Sequence, residues 1–292
     1  MMGILMDGLF NSITLILLSV GMVLVIGMLR IVNFAHGALY MVGSYVVWLV
    51  VGQRLIPLDN VYLGYSIGFI LAVACVAGMG AVIERLLRPL KGGFLESFIL
   101  TLGLILFLEG AMLVGFGIDE KTVPSLFAKT VTAIGFSLPQ QRLFVLVVGI
   151  AIGGGLWVFL TKARIGIAMR AVAQELEGAA LQGINIRYVG MLGMAIGCGL
   201  AAAAGALIAP VYTVNPYIGT GPVTKCFIVM VLGGIGSLPG AVLASFLVGF
   251  VEAISATFLG SGTAKLIVYF LLLVVMLIRP MGLYGGQEWV HR

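Results

Sequence analysis

Residues 189–208, VGMLGMAIGCGLAAAAGALI, form an uninterrupted run of apolar and small residues. It holds no charged residue, and its length matches the roughly 20 apolar residues that a helix needs to cross the hydrocarbon core of a bilayer. Gly193, Gly197, Ala201 and Gly205 recur every four positions, which places them on one helix face. Small residues in this pattern let two helices approach closely within a membrane. The stretch therefore predicts a membrane-spanning helix packed tightly against a neighbour.

The composition extends this prediction to the whole chain. Of its 292 residues, 61% are apolar and 9% are charged, against about 25% charged in typical soluble domains. So few charges cannot solvate the surface of a protein of this size, and the surface must face the lipid bilayer. We expect an all-α polytopic membrane protein whose residues 1–292 form a single transmembrane domain. The net charge of +5 is then loop charge that sets orientation, and we expect no nucleic acid partner.

Apolar runs predict eight or nine spans. The regular runs are 8–29, 37–52, 63–83, 95–117, 143–160, 189–208, 238–258 and 264–279. The first run lacks the positive start of a secretory signal, so we expect it to remain as a span. A further run, 216–233, is interrupted in its first half by prolines, glycines and Lys225. It predicts a discontinuous helix, which membranes tolerate only where protein or a water-filled cavity surrounds it.

Loop charges predict the orientation. Two loops separated by two spans are rich in basic residues, so both lie on one side, which the positive-inside rule makes cytoplasmic. Loop 84–93 holds Arg85, Arg88 and Lys91, and loop 161–188 holds Lys162, Arg164, Arg170 and Arg187. Counting back through three spans places the N-terminus outside. Counting forward, nine crossings place the C-terminal tail, with Arg279, His291 and Arg292, inside, whereas eight would place it outside. We prefer nine crossings, with the N-terminus out and the C-terminus in.

The longest polar loop, 161–188, has helical character. Residues 168–181 predict one short amphipathic helix with Arg170 and Glu177 at polar positions. Gly183 suits the left-handed conformation that ends such a helix. A helix of this kind docks into a groove on another protein or lies on the lipid headgroups, and periodicity alone leaves both open.

Four motifs give the chain a family resemblance. Residues 170–185, RAVAQELEGAALQGIN, resemble the cytoplasmic coupling loop of ABC importer permeases, in the version carried by branched-chain amino acid permeases of the LivH type. Residues 31–43 (IVNFAHGALYMVG), 232–241 (LGGIGSLPGA) and 279–284 (RPMGLY) resemble the early, late and closing motifs of that family. The resemblance extends over nearly the whole chain. Gly178 departs from the broader Glu-Ala-Ala pattern, and Met281 stands where glutamine is more usual.

The resemblance implies half of an ATP-driven importer for branched-chain amino acids, or for related small amino acids and amides, in a prokaryotic inner membrane. The chain would pair with a second homologous permease, two cytoplasmic ATPases and an extracytoplasmic binding protein. It would hold no cofactor, and it contains no G-x-x-x-x-G-K-[ST] nucleotide motif. The residues that the motif assigns to ATPase coupling are Arg170, Glu177, Ala179, Ala180 and Gly183.

The substrate path is expected where helices break. A zwitterion with an aliphatic side chain passes hydroxyls, amides and helix ends more easily than fixed charges. The candidates at the first break are Asn33, His36, Tyr40 and Ser44. The broken span is expected to line the path over 209–233, near the partner permease. Its candidates are Tyr212, Asn215, Tyr217, Thr220 and Thr224.

The alternatives are a membrane enzyme and an ion-coupled carrier or channel. An enzyme is disfavoured because the chain has two histidines, no metal-binding motif and no serine nucleophile motif, so neither a catalytic nor a metal site is expected. An ion-coupled carrier or channel for a small polar solute is the stronger rival. Glu96, Glu109 and Glu252 fall in or near spans, where carboxylates often relay protons or ions. Their other interpretation is a position at a helix end or pairing inside the bundle.

Overall fold

The computed structural model describes residues 2–53, 55, 60–90, 94–127, 129–133 and 136–284. Over these ranges the chain forms α-helices joined by short connections. The helices are α1 (Met2–Leu29), α2 (His36–Val47), α3 (Val61–Leu87), α4 (Phe94–Phe116), α5 (Gln140–Lys162), α6 (Arg164–Gln174), α7 (Leu176–Leu181), α8 (Ile186–Ile208), α9 (Thr220–Gly233), α10 (Leu238–Leu259) and α11 (Ser261–Ile278). A π-helical turn, Trp48–Gly52, extends α2, and a 3-10 turn, Arg88–Leu90, follows α3. A small antiparallel hairpin between α4 and α5 pairs β1 (Thr130–Ala133) with β2 (Phe136–Pro139).

Seven of the described helices are long and apolar enough to cross a membrane, which confirms the all-α polytopic class. They are α1, α3, α4, α5, α8, α10 and α11. Two shorter apolar helices complete the bundle, α2 with its π turn and α9. The predicted span 37–52 is therefore a second short element, in addition to the expected discontinuous one.

Helix α8 lies at the centre of the bundle and confirms the prediction made from its small residues. A Cβ atom added at Gly197 would lie 2.6 Å from the carbonyl oxygen of Gly21 in α1. One added at Gly205 would lie 2.0 Å from the carbonyl oxygen of Tyr40 in α2. Such distances leave room for hydrogen alone, so the glycines set how closely α1 and α2 pack against α8.

The two ends of the bundle can be told apart by what α1 contacts. Near its last residue, Gly27 lies beside Ala173 of α6 and the turn at Gly236, and we call this the α6–α7 end. Gly8 lies beside Phe250 at the other end, which we call the Asp7 end. The described C-terminal residues return to the α6–α7 end, because Leu283 N–H donates to the carbonyl of Leu232 at 2.7 Å. Lys91, His291 and Arg292, used in the orientation argument, lie outside the described residues.

Helices α2 and α9 both begin inside the bundle. His36 Nε2 lies 3.0 Å from the carbonyl oxygen of Leu18, about 16 Å along α1 from its Leu29 end at 1.5 Å per residue. From there α2 runs toward the Asp7 end, whereas α9 starts beside Gly37 and runs toward the α6–α7 end, where Gly233 contacts Gly240. Two half-length helices therefore meet at mid-depth with their N-termini adjacent.

Candidate functional site

A cavity of about 510 Å³ extends from this mid-depth junction toward the Asp7 end. It lies among α1, α9, α10 and the segment 209–219. Part of its lining is polar: Asn11, Thr14, Tyr40, Tyr212, Thr213 and Asn215. Another part is apolar: Phe10, Leu15, Leu18, Ile208, Ile218 and Ala256. Pro222, Lys225 and Glu252 complete the lining. The volume falls in the range of roughly 300–1,000 Å³ that small-molecule sites occupy.

The segment 209–219 forms one wall because it is not helical. Its Val214 pairs with Lys121 of the α4–α5 connection through two backbone hydrogen bonds of 2.7 and 2.8 Å. Asn215 Oδ1 then accepts the N–H of Tyr217 at 3.0 Å, which turns the chain back toward the bundle. The backbone N–H and C=O groups of this non-helical segment are thus directed at protein and at the cavity. Within the membrane such groups cannot face lipid, because lipid offers no hydrogen-bond partner.

The position of the break agrees with the prediction in part. Pro216 and Gly219 lie in the irregular part, 209–219, as expected. Gly221, Pro222 and Lys225 were also expected to interrupt the helix, yet α9 is helical from Thr220 onward. Pro222 lies in the first turn of the helix, where its missing N–H would have had no intrahelical partner.

The two charged residues of the cavity form an ion pair. Lys225 Nζ of α9 donates to Glu252 Oε1 of α10 at 2.5 Å, with side-chain exposed fractions of 25% and 14%. The pairing explains how a lysine is accommodated within a membrane bundle, because each charge offsets the cost of burying the other. Glu252 Oε2 is buried and accepts no hydrogen bond from any described residue.

A second ion pair lies at the Asp7 end of the bundle. Arg142 of α5 bonds to Asp7 of α1, and its guanidinium lies 5.3 Å from the ring centroid of Phe10. Both side chains are more than a third exposed, and neither lines the cavity. This pair ties α1 to α5 at the surface.

Of the predicted path residues, the structure brings Tyr40, Asn215 and Tyr212 together in the cavity. The other three at the first break lie behind the cavity wall and are fully buried: Asn33, His36 and Ser44. Asn33 Oδ1 accepts the N–H of Ala35 at 3.1 Å, and Ser44 Oγ donates to the carbonyl of Gly205 at 2.9 Å. These contacts shape the break and fasten α2 to α8.

The remaining candidates lie on α9 or just before it, outside the cavity lining. Thr224 Oγ1 donates to the carbonyl of Thr220 at 2.8 Å, and the side chain of Tyr217 is 49% exposed. An added Cβ at Gly221 meets no atom within 4 Å. This side of α9 is therefore uncovered in the single chain.

Sequence reasoning missed five polar or charged cavity residues as path candidates: Asn11, Thr14, Thr213, Lys225 and Glu252. Asn11 and Thr14 are three positions apart in a mostly apolar helix, and that spacing could have placed them on one face. Lys225 and Glu252 were each noted as unusual within a span, but nothing in the pattern connected them. Two opposite charges in neighbouring spans were the signal available.

The predicted amphipathic helix 168–181 is two helices. Helix α6 begins earlier, at Arg164, and ends at Gln174, and Glu175 breaks the run with extended torsion angles of φ −147° and ψ 106°. Helix α7 follows from Leu176. Gly183 has φ +80°, which confirms the left-handed conformation predicted there.

These two helices rest on a small apolar core. Met169, Val172 and Ala179 pack with Leu24 and Met28 of α1, Leu160 of α5 and Val189 of α8. Arg170, Glu177, Ala180 and Gly183 lie on the exposed side, whereas Ala179 is only 5% exposed and faces the core. Leu181, which was not among the predicted contact residues, is 88% exposed at the end of α7.

The three glutamates noted in the sequence have different surroundings. Glu96 is exposed in the first turn of α4, in agreement with the helix-end interpretation. Glu252 is paired inside the bundle with Lys225. Glu109 is partly buried on α4.

Comparisons with known proteins point to one family. A family model described as branched-chain amino acid transport system, permease component, matches residues 4–277. The high-affinity branched-chain amino acid transport system permease protein BraD of Pseudomonas aeruginosa is 34% identical, with 97% of this chain and 95% of that protein aligned. The corresponding LivH protein of Escherichia coli K12 is 33% identical over 96% of this chain and 95% of its own length. A probable LivH protein of Methanocaldococcus jannaschii is 28% identical over 98% and 93%.

Proposed function

Because this chain belongs to the branched-chain amino acid transport permease family, we propose that it is the permease subunit of an ATP-driven importer that passes branched-chain or closely related amino acids. It is a multi-pass membrane protein and a transport subunit, not the enzyme of the system. The observation that supports the substrate is the cavity, which combines a charged and polar part with an aliphatic part. A branched aliphatic amino acid has the same two halves.

The orientation we propose has the α6–α7 end in the cytoplasm. Its support is the distribution of basic residues, which the positive-inside rule associates with the cytoplasm. Those at that end are Arg30, Arg85, Arg88, Lys162, Arg164, Arg170, Arg187 and Arg279. The cavity then faces the extracytoplasmic side, where a binding protein would deliver the amino acid.

Two ATPase subunits are proposed to dock at α6 and α7, one on this chain and one on its partner permease. The exposed surface of Arg170, Glu177, Ala180 and Gly183 supports the docking, and Leu181 adds an apolar anchor that a groove on the ATPase would bury. Ala179 supports the surface from beneath.

Helix α1 offers a physical link between the ATPase contact and the cavity. At one end Leu24 and Met28 pack in the same small core as Met169 of α6. Toward the other end Asn11 and Thr14 line the cavity. A displacement of α6 on ATP binding would therefore move one wall of the cavity through a continuous helix.

A second, homologous permease is proposed to cover the open side of α9 as a heterodimer. The support is the exposed Tyr217, Thr220 and Gly221, which stand beside the cavity without a covering helix in the part of the chain that the structure describes. Small and hydroxyl residues are typical of helix contacts in membranes.

The test is transport in proteoliposomes that contain this chain, its partner permease, the two ATPases and the binding protein. We expect uptake of radiolabelled leucine that requires both ATP and the binding protein and is unaffected by a protonophore. Uptake driven by an ion gradient without ATP would instead support the ion-coupled carrier, with Glu109 as its carboxylate. The same preparation without the binding protein serves as the control for leakage.

A further inference from the structure

We propose that the Lys225–Glu252 pair recognises the charged head of a zwitterionic amino acid within the cavity, so that the permease itself discriminates zwitterions from uncharged amides of the same shape. The inference rests on the proposed function and specifies the substrate class of the same site. The permeation of a neutral solute would not require the charges of Lys225 and Glu252, and the recognition of a zwitterion gives them a role.

The first observation is that both members of the ion pair line the cavity. Lys225 Nζ donates to Glu252 Oε1 at 2.5 Å, and the two side chains keep exposed fractions of 25% and 14%. Glu252 Oε2 receives no hydrogen bond from the described residues, so the lysine alone does not saturate the carboxylate. The α-ammonium group of an amino acid is a donor that suits this carboxylate.

The second observation is the arrangement of positive charge on α9. Lys225 retains two further N–H donors beyond the one directed at Glu252. Ile218 and Pro222 line the cavity on either side of the start of α9, so the positive end of the helix dipole borders the same space. A carboxylate is favoured on the α9 side of the cavity and an ammonium group on the α10 side.

The third observation is the apolar lining of the same cavity. Leu15, Leu18 and Ile208 line it together with the charged pair. A zwitterion held at Lys225 and Glu252 therefore has aliphatic surface within the same cavity for its side chain. An uncharged amide would find the same apolar lining but would offer the Glu252 carboxylate no charged donor.

The experiment measures ligand protection of a cysteine placed in the cavity. Thr213→Cys lines the cavity, and Cys75→Ala removes the exposed native cysteine, since Cys198 and Cys226 are buried. The chain is assembled with its partner permease and ATPases in nanodiscs, without the binding protein. The labelling rate with a small polar thiol reagent is read by mass spectrometry of the peptide around position 213. Four probes vary the charges of the head group. L-leucine carries both charges, 4-methylpentanoate only the carboxylate, 3-methylbutylamine only the ammonium group, and 4-methylpentanamide neither.

We expect L-leucine to protect the cysteine at concentrations about tenfold lower than the other probes, the ratio for loss of one charge-assisted hydrogen bond. Glu252→Gln should remove the preference for leucine over 4-methylpentanoate, and Lys225→Met the preference over 3-methylbutylamine. Glu96→Gln is the control, because it removes a carboxylate charge at an exposed position outside the cavity lining. It should leave every preference unchanged.

The double variant Lys225→Glu/Glu252→Lys exchanges the two charges and keeps an ion pair between α9 and α10. It can therefore be tested even if the single variants fail to assemble. We expect it to assemble and to lose protection by leucine. Full protection by leucine in this variant, or equal protection of the wild type by leucine and 4-methylpentanamide, would overturn the inference. Those results leave ATP-driven uptake intact, whereas absence of that uptake in the wild type overturns the proposed function itself.

Discussion

Gly219, directly before α9, touches Gly37, in the first turn of α2: a Cβ atom added at Gly219 would lie 1.9 Å from the carbonyl oxygen of Gly37. The reciprocal distance, from an added Cβ at Gly37 to the carbonyl oxygen of Gly219, is 2.8 Å. Two helices that both begin at mid-depth are thus joined backbone to backbone, and the cavity lies next to this junction.

The first prediction concerns this contact. Gly219→Ala should destabilise the permease by about 3 kcal/mol, because the obstructing atom is a backbone carbonyl that cannot rotate away. Gly221→Ala is the control on the same helix, since its added methyl meets nothing within 4 Å. It should change stability by less than about 1 kcal/mol, in the stabilising direction. Thermal unfolding of the purified chain in detergent measures both, and equal midpoints for the two variants would contradict the junction.

The second prediction concerns the exposed end of α7. Leu181→Ser should leave thermal unfolding of the permease unchanged, because the side chain is 88% exposed, yet it should reduce co-purification of the ATPases and leucine uptake. Met169→Ala is the contrasting variant, since Met169 is fully buried in the small core under α6 and α7. It should cost about 2–5 kcal/mol of stability as a core truncation. Normal ATPase binding by Leu181→Ser would remove Leu181 from the proposed contact.

Ala180→Asp is the third prediction, and it tests the same surface with a charge. Ala180 is exposed in the free permease, so the variant should fold, but docking would then bury a carboxylate without a partner. We expect loss of leucine-stimulated ATPase activity in the assembled transporter. Gln182→Ala, also at an exposed position, is the matched control and should retain activity. Full coupling in Ala180→Asp would show that α7 lies on lipid headgroups instead.

The fold was predictable from the sequence where a pattern repeats along one helix. The four-residue spacing of Gly193, Gly197 and Gly205 predicted the close contacts of α8, because such a repeat reports a packed face directly. The break between α6 and α7 was not predictable in the same way. Glu175 is a good helix former, and its extended conformation is imposed by the core beneath Met169 and Ala179.

The candidate site was only partly predictable for a similar reason. Tyr40 and Asn215 were identified because each lies at a helix break, which is a local signal. The pairing of Lys225 with Glu252 depends on how α9 and α10 pack, and no local pattern encodes that distance. Asn33 and Ser44 were placed in the path by the same signal, since they lie at or near the first break. The structure instead uses them to satisfy backbone groups.

The fourth prediction combines orientation with gating. Single cysteines at Asp119 and Leu181 should be labelled from opposite sides of a sealed membrane, Asp119→Cys from outside and Leu181→Cys from inside, because they lie at opposite ends of the bundle and are both exposed. Thr213→Cys in the cavity should be labelled from outside at a rate that changes when a non-hydrolysable ATP analogue closes the ATPases. Thr257→Cys, on α10 and outside the cavity lining, controls for general effects of the nucleotide. Labelling of Leu181→Cys from outside would contradict the proposed orientation and place the α6–α7 end outside. If the labelling rate of Thr213→Cys is the same with and without the nucleotide, α1 does not transmit movement from α6 to the cavity.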